Sequence, residues 1–244
     1  MKTTLIIPAL NEEKTIGLIL DKLKKHPYIS EIIVVDNRST DNTSKIAHDK
    51  GVRVIYCGTQ GKGYAMEAGL KEAKNDIILY MDGDILSYTN DMVEKMLEPL
   101  LNNEVDFVKS EFDRSGGRVT ELVAKPLLEI LFPNMYKFKQ PLSGIIAGRK
   151  SFFEKINFEK DYGVDVGILL DMVKMNARIK EVHIGTIKND SQSWEALSKM
   201  SKEVATAILR RAGKLDDNIY SELLEENPEI AECIQDIEPK IQIK

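Results

Sequence analysis

The first third of this 244-residue chain alternates short apolar runs with segments of helical periodicity, and this pattern constrains the fold more than any other feature. The apolar runs are rich in β-branched residues and lie at 4–10, 31–36, 52–56 and 77–81. Between them, apolar residues recur at the spacing of one helix face. Strands that alternate with helices pair mainly in parallel, because each helix returns the chain to the same edge of the sheet. We therefore predict an α/β fold with a mainly parallel central sheet.

The fourth run ends in two acids, Asp82 and Asp84, which are separated by Gly83. Ligands collect at the carboxyl ends of parallel strands, where these side chains are expected. Carboxylate oxygens suit Mg²⁺ or Mn²⁺, and such an ion commonly brings a substrate phosphate with it. Gly83 allows the backbone to turn and a bulky anion to approach. Taken alone, the motif is equally consistent with a solvated turn.

Three further polar side chains are expected at the same edge of the sheet. Glu12 follows the first run, Asp36 ends the second, and Lys62 lies in a glycine-rich segment at 58–63. Together these residues indicate a nucleotide-diphosphate site. In such a site an acid binds the nucleobase or ribose, a lysine binds the phosphates, and carboxylates hold a metal. Taken singly, Asp36 is equally well explained as a cap of the next helix, and Lys62 as a solvated loop residue.

The second half of the chain is less regular. Its patterns predict strands at 106–112 and 182–187, a short strand within 138–148, and helices near 90–101, 122–131, 165–173 and 196–211. From residue 215 onward the composition turns acidic and the periodicity is lost. We predict a single domain at 1–214, with a first half at 1–112 and a second half at 113–214, followed by an acidic C-terminal extension at 215–244.

Composition argues against several classes of protein. The net charge of −5 disfavours non-specific binding to nucleic acid, which needs a basic surface. The two cysteines, Cys57 and Cys233, lie far apart and at no metal-ligand spacing, as is typical of a reducing compartment. No apolar stretch approaches the roughly 18 residues of a membrane span, and the first apolar run is too short for a secretory signal. We expect a soluble cytoplasmic protein without an integral membrane segment.

Four motifs of the first half resemble the nucleotide-sugar half of the large, inverting-type, family 2-like group of GT-A fold glycosyltransferases. They are IPALNEE at 7–13, VDNRSTDNT at 35–43, GKG at 61–63 and DGD at 82–84. The resemblance implies a single GT-A domain and a metal-bound nucleotide sugar. It implies that Asp84 is the main direct metal ligand, that Asp82 serves the ribose or a metal-bound water, and that Lys62 approaches the base or phosphate. The donor site it implies comprises Pro8, Ala9, Leu10, Glu12, Asp36, Asn37, Ser39, Lys62, Asp82 and Gly83.

Three motifs of the second half resemble the glucosyl-3-phosphoglycerate synthases, which are retaining enzymes that transfer a hexose to the 2-hydroxyl of 3-phosphoglycerate. They are GGRVTEL at 116–122, QPLSG at 140–144 and YGVDVG at 162–167. The resemblance implies that Asp165, which stands where this group has a glutamate, lies beside the sugar. It also implies an acceptor site in which a guanidinium fork binds the anion, made by Gly117, Arg118, Thr120, Gly144 and Tyr162.

The chain departs from this group near its last predicted strand. Asn189 stands where the group has a histidine that ligates the metal, and either Asn189 or Asp190 offers an oxygen ligand instead. Ile187 replaces an arginine beside the acceptor. These changes favour the donor side of the resemblance over the acceptor side, and they make Asn189 the second predicted metal ligand.

We therefore predict a glycosyltransferase that depends on Mg²⁺ or Mn²⁺, with Asp165 and Asp84 as its catalytic residues. The predicted donor is UDP-glucose, with GDP-mannose as the alternative, and the predicted acceptor is a small anion such as 3-phosphoglycerate, with retention of configuration. Transfer to a polyprenyl phosphate or another acceptor, and a nucleotide-sugar-binding protein without catalysis, are the competing functions. The resemblance, which spans residues 4–212, also implies a homodimer through the later helices, although the apolar segment 196–209 suits core packing equally well.

Overall fold

Seven strands form one sheet that organises the fold. They are β1 (Thr3–Ala9), β2 (Ile29–Asp36), β3 (Arg53–Tyr56), β4 (Ile77–Tyr80), β5 (Phe107–Asp113), β6 (Ile146–Arg149) and β7 (Ile179–Thr186). The order across the sheet is β3-β2-β1-β4-β6-β5-β7. β6 runs antiparallel to both of its neighbours, and the other neighbouring pairs are parallel. The predicted α/β class with a mainly parallel sheet is confirmed.

Eight α-helices connect and cover the strands in the computed structural model, which describes residues 2–113, 117–135, 137–187 and 193–215. They are α1 (Ile16–Leu23), α2 (Thr43–Asp49), α3 (Lys62–Glu72), α4 (Asn90–Leu101), α5 (Lys125–Leu131), α6 (Lys150–Phe153), α7 (Val164–Lys174) and α8 (Trp194–Arg211). A π-helical segment, Thr120–Ala124, leads directly into α5. The short helix α6 was not predicted from the sequence pattern.

Both faces of the sheet are buried, which explains why its central strands are almost continuously apolar. Leu5 and Ile7 of β1 point into the core layer that contains the apolar residues of α1 and α4. Ile6, between them, points into the opposite layer, which contains residues of α3, α7 and α8. α8 contributes Val204, Ala207 and Ile208 to that layer, so part of its apolar face packs in the core, and the predicted homodimer stays a prediction.

The path of the chain through the sheet creates a crevice beside β1. The chain runs outward from β1 to β2 and β3, and then returns to place β4 on the other side of β1. The strand order therefore reverses between β1 and β4, whose ends are neighbours in the sheet. Open α/β sheets bind ligands at such a switch in strand order.

The chain divides into a compact unit at Met1–Ile208 and a second unit at Leu209–Lys244. Residues 209–215 of the second unit are described, and they complete α8 and the turn after it. The boundary predicted at residue 214 stays a prediction. Across the described residues, no helix has both the length and the apolar composition needed to span a membrane.

Candidate active site

A cleft of about 740 Å³ opens where β1 and β4 end, at the carboxyl edge of the sheet. Residues of both halves of the chain line it. Most of the side chains predicted to contact donor, metal or acceptor are among them: Pro8, Ala9, Leu10, Glu12, Asn37, Lys62, Asp82, Gly83, Asp84, Gly117, Arg118, Thr120, Gly144, Tyr162 and Asp165. Asp36 and Ser39 do not line the cleft, and Asn189 lies outside the described residues.

The glycine-rich segment is pinned against the end of β2 by the side chain of Asn37. The Asn37 amide donates to the carbonyl of Thr59 at 2.6 Å, and its oxygen accepts from the amide of Gly61 at 2.7 Å. Gly61 has φ +143°, and a Cβ there would lie 2.3 Å from the carbonyl oxygen of Lys160. The segment therefore requires glycine at this position, and it begins α3 at Lys62 in a defined place.

Lys62 bridges the two halves of the cleft. Its Nζ lies 2.9 Å from Oδ1 of Asp82 and 2.9 Å from Oδ2 of Asp165. Burial by itself lowers the pKa of Lys62, but the two carboxylates outweigh that effect and raise the pKa above its usual value. Gly144 closes over this group, since a Cβ there would lie 2.4 Å from Nζ of Lys62. The structure therefore combines Lys62, Asp82, Asp165 and Gly144 in one tightly packed cluster.

Asp165 lies in the first turn of α7 and is only 2% exposed. Burial raises its pKa, and the nearby ammonium of Lys62 offsets only part of that rise. Oδ2 accepts from Lys62, whereas Oδ1 is buried and has no hydrogen-bond partner among the described residues. A buried polar atom left unpaired costs about 1–3 kcal/mol, so this oxygen is suited to accept a hydrogen bond from a ligand.

The turn after β4 is held rigidly from behind. The hydroxyl of Tyr88, which is 1% exposed, accepts from the amide of Asp82 at 2.8 Å and donates to its carbonyl at 3.1 Å. The hydroxyl of Thr15 donates to the carbonyl of Gly83 at 2.7 Å. Gly83 packs against the first loop, since a Cβ there would lie 3.3 Å from the carbonyl oxygen of Pro8. These contacts present the carboxylates of Asp82 and Asp84 to the cleft.

The acids of the cleft fit a hard divalent cation held together with substrate phosphates. Asp84 is exposed at the cleft, and Glu12 is half-buried beside it. Burial raises the pKa of Glu12; a hydrogen bond from Thr15 opposes this rise, and the negative charge of Asp84 adds to it. No group of three or more histidine, cysteine or acidic side chains within the described ranges could hold a metal by itself. The protein ligands present therefore leave coordination positions for phosphate and water, as is usual for Mg²⁺.

Asp36 and Ser39 serve the loop behind the cleft. Oδ1 of Asp36 accepts from the amide of Ser39 at 2.8 Å, and Oδ2 accepts from the hydroxyl of Ser44. The hydroxyl oxygen of Ser39 accepts from the amide of Asn11 at 3.0 Å. The carboxylate of Asp36 therefore binds the loop after β2 and a side chain in the first turn of α2, whereas the N-cap position of that helix is Asn42. Contact of Asp36 or Ser39 with the donor stays a prediction.

The mouth of the cleft carries an arginine stacked on a tryptophan. Arg118 is exposed, and its guanidinium carbon lies 4.9 Å from the centroid of the Trp194 ring, within cation–π range. Trp194, the first residue of α8, is 72% exposed. The ring holds the guanidinium where an anion entering the cleft would meet it.

Sequence patterns missed the contribution of α8 to the cleft. Leu197, Lys199 and Met200 line its wall, yet an apolar helix near the end of the chain indicates only packing. Lys199 lies 3.3 Å from Oδ2 of Asp161, and nothing local in the sequence indicates that pairing. Further lining residues that were not predicted are Gln60, Gly61, Ala65, Ile85, Phe112, Val119, Leu142, Ser143 and Asp161.

Three features define the class of this protein as a glycosyltransferase of the GT-A fold. They are a mainly parallel sheet with one antiparallel strand, an Asp-Gly-Asp turn at the switch in strand order, and a lysine that contacts this turn. The model of the family described as glycosyl transferase family 2 matches residues 4–160, and the chain belongs to this family. It is therefore a glycosyltransferase.

Within that class, the chain is similar to glucosyl-3-phosphoglycerate synthases. It is 36% identical to that of Petrotoga mobilis, over 89% of this chain and 76% of the relative. It is 32% identical to that of Mycolicibacterium smegmatis, over 88% of this chain and 79% of the relative.

Solved structures agree with this similarity. The Mycobacterium tuberculosis glucosyl-3-phosphoglycerate synthase in complex with Mn²⁺, UDP-glucose and phosphoglyceric acid has a TM-score of 0.83 and 33% identity, covering 88% of this chain and 81% of that chain. The same enzyme in complex with Mg²⁺ and UDP has a TM-score of 0.84 and 33% identity, with the same coverage.

Proposed function

We propose that this glycosyltransferase transfers glucose from UDP-glucose to the 2-hydroxyl of 3-phosphoglycerate, with a divalent metal and with retention of configuration. The observation that carries the proposal is the position of Lys62 between Asp82 and Asp165, at 2.9 Å from each. This contact joins the donor-side turn to the residue expected beside the sugar. The relatives support the substrates, since a synthase 33% identical to this chain has been crystallised with UDP-glucose, phosphoglyceric acid and Mn²⁺.

The donor would occupy the crevice beside β1. Pro8, Ala9, Leu10 and Glu12 line that side of the cleft, and they offer a mainly backbone and apolar surface to the uracil and ribose. Asn37 also lines the cleft, but both polar atoms of its amide already bind the glycine-rich segment. Its role would therefore be to shape the pocket.

A divalent metal would be held by Asp84, with Asn189 as the second proposed protein ligand. When bound, the ion neutralises the charge that develops on the departing diphosphate. Asp82 is engaged with Lys62, so its carboxylate is available to the ribose or to a metal-bound water and less to direct coordination. This division of roles matches the greater exposure of Asp84.

The acceptor would bind at the opposite wall of the cleft. Arg118 offers a planar fork of donors to a phosphate or carboxylate, and its ring contact with Trp194 restricts where the fork points. Gly117, with φ +93°, precedes it in a backbone conformation that favours glycine. Thr120, Gly144 and Tyr162 also line the cleft.

Transfer would break the bond between the anomeric carbon and the diphosphate oxygen and form a bond from that carbon to the acceptor oxygen. The proton of the acceptor hydroxyl would pass to the departing diphosphate, which balances the reaction without a protein base. Asp165 is buried and bound to Lys62, which suits an orienting contact with the sugar through Oδ1 more than attack on it. Retention follows if donor and acceptor react on the same face of the sugar.

A substrate panel tests the proposal. Purified protein is incubated with Mg²⁺ or Mn²⁺, with UDP-glucose or GDP-mannose, and with 3-phosphoglycerate, other small phosphorylated acids or a polyprenyl phosphate. We expect the UDP-glucose and 3-phosphoglycerate pair to give a glucosylated product by mass spectrometry, with an anomeric coupling constant of the α configuration by NMR. Transfer only to another acceptor, a β product, or binding without any transfer would each contradict the proposal.

A further inference from the structure

A lysine with no exposure to solvent lies directly behind the cleft. Lys109, in the middle of β5, is 0% exposed, although lysine is rarely buried without a carboxylate partner. Its Nζ donates to two backbone carbonyls, that of Ser143 at 2.8 Å and that of Asp165 at 3.2 Å. Burying an ammonium is unfavourable unless its hydrogen bonds are satisfied, so these contacts explain how the charge is tolerated.

The two carbonyls belong to opposite walls of the site. Ser143 precedes Gly144, the residue packed against the ion pair of Lys62 and Asp82. Asp165 lies in the first turn of α7, and its carboxylate accepts a hydrogen bond from Lys62. Lys109 is therefore the single side chain, among the contacts described, that fastens both segments to β5.

A second contact supports the same arrangement. The hydroxyls of Ser110 and Ser143 lie 2.5 Å apart, and the amide of Ser110 donates to the carbonyl of Ile145 at 3.2 Å. The segment that contains Gly144 is thus attached to β5 at adjacent residues. The first turn of α7, in contrast, contacts Lys109 through a single carbonyl, that of Asp165. Loss of the ammonium should therefore affect this turn more than the segment that contains Gly144.

Burial and the negative charges around Lys109 act on its pKa in opposite directions. Burial lowers its pKa to about 8; the carboxylate of Asp165 opposes this decrease, and the ammonium of Lys62 adds to it. The negative charges of Glu181, on β7, and Asp82, after β4, also favour the charged form. Lys109 therefore carries its charge at neutral pH and loses it in mildly alkaline solution.

We propose that Lys109 is a positioning residue for sugar transfer, whose ammonium sets the distance between the Gly144 segment and the Asp165 turn and so the geometry of the Lys62 cluster. This inference rests on the proposed function, because the cluster matters only if the sugar is bound there. Misplacement of a catalytic group by about 1 Å can reduce turnover by about 100-fold. The effect should therefore be larger on kcat than on the KM for UDP-glucose.

The test compares Lys109→Met with wild type, using kcat, the KM for UDP-glucose and the unfolding temperature. We expect kcat to fall by about 10- to 100-fold while the KM for UDP-glucose changes by less than about threefold. Lys150→Met is the matched control: Lys150 also donates to a backbone carbonyl, that of Ala73 at 2.8 Å, but it does not line the cleft. We expect it to leave kcat unchanged.

The pH profile separates a positioning role from a purely structural one. Wild-type kcat should decline with a midpoint near the Lys109 pKa of about 8. In Lys109→Arg, which stays charged, that decline should move to higher pH. If the variants fail to fold, the wild-type profile alone decides, since a kcat that is flat from neutral pH to well above 8 would overturn the inference.

The two proposals fail in distinguishable ways. An inactive wild type, given UDP-glucose and 3-phosphoglycerate, would reject the proposed function and the inference together. An active wild type whose folded Lys109→Met variant keeps its kcat would reject the inference alone.

Discussion

The Nζ of Lys62 lies 2.9 Å from Oδ2 of Asp165, and this contact joins residues 103 positions apart in the chain. It connects the start of α3, within the GKG motif of the first half, to the first turn of α7 in the second half. Because Lys62 also pairs with Asp82, donor-side and sugar-side residues share one charge cluster. Changes on either side should therefore affect the other.

Replacing Asp165 by asparagine should strongly reduce turnover. The amide keeps the shape of the side chain but removes the charge that holds Lys62 and weakens the acceptor atom at Oδ1. We expect kcat to fall by about 100-fold, with a smaller change in the KM for UDP-glucose. Steady-state kinetics with both substrates provide the measurement, and Asp165→Glu, which keeps the charge, should retain more activity. Normal turnover in Asp165→Asn would exclude the role proposed for this residue.

Gly144→Ala should lower activity without unfolding the protein. Its Cβ would lie 2.4 Å from Nζ of Lys62 and 2.6 Å from Oδ1 of Asp82, which are flexible side-chain ends that can move apart. The displacement should disturb the ion pairs and reduce kcat by about 10-fold or more. Gly58→Ala is the control, since its Cβ would meet only Tyr56 at 3.8 Å. Equal kcat values for the two variants would contradict this account of Gly144.

Asp84→Asn should weaken the binding of the metal. Removing a direct carboxylate ligand should raise the Mg²⁺ concentration needed for half-maximal activity. Loss of a group that only supports a ligand typically lowers metal affinity by roughly 10- to 100-fold, and the effect here should be at least as large. Metal titrations after chelation measure this directly, and chelation of the wild type should abolish transfer until Mg²⁺ or Mn²⁺ is restored. Asp49→Asn changes an exposed acid outside the cleft and should leave the titration unchanged.

Trp194 should report acceptor binding through its fluorescence. It is the one tryptophan of the chain, and the guanidinium of Arg118 lies 4.9 Å from its ring. An anion that draws the guanidinium into a new contact should change the emission in a saturable titration with 3-phosphoglycerate. In Arg118→Ala the change should disappear and the acceptor KM should rise by about 10-fold. An identical titration in both proteins would place the acceptor elsewhere.

Asp106 should make stability depend on acid pH. Hydrogen bonds from Arg178 lower the pKa of Asp106 to about 2, although burial opposes this decrease. At acid pH the folded state therefore binds fewer protons than the unfolded state, whose aspartate has the usual, higher pKa. The stabilisation is present above the unfolded-state pKa and is lost as the pH falls towards 2. Asp106→Asn should therefore lower the unfolding temperature at pH 7 by about 2–4 °C and have progressively less effect in acid.

The control for Asp106 is Asp91→Asn, which removes an exposed pair with Lys95 at 2.8 Å. Surface pairs of this kind contribute little to stability, so the unfolding temperature should stay the same. Equal changes in the unfolding temperature for both substitutions at pH 7 would show that the contacts between Asp106 and Arg178 add no more stability than an exposed ion pair.

Elements with strong local patterns were predictable from the sequence. β4 is four consecutive buried apolar residues, and the helix predicted at 90–101 is observed as Asn90–Leu101. The position of Asp82 and Asp84 after β4 followed from the same pattern. Runs of β-branched residues, helical spacing and glycine turns are properties of near neighbours, which is why one sequence suffices to recognise them.

Side-chain roles at the edge of the sheet were less predictable. Asp36 ends β2 and Asp82 follows β4. Even so, Asp36 binds Ser39 and Ser44, whereas Asp82 binds Lys62. The difference depends on which groups the next loop brings within hydrogen-bond distance. The carboxylate of Asp36 has partners three and eight residues away, and that of Asp82 has one in another element.

The sequence by itself determined the α/β class, the strand-forming runs and the acids that follow them, because these depend on local periodicity and turn chemistry. Only the tertiary structure decided that β6 enters antiparallel between β4 and β5, and that Lys109 is buried against the carbonyls of Ser143 and Asp165. A lysine in a strand is ordinarily a solvent-facing residue. Its burial here results from the packing of segments 34 and 56 positions away, and no local pattern records that packing.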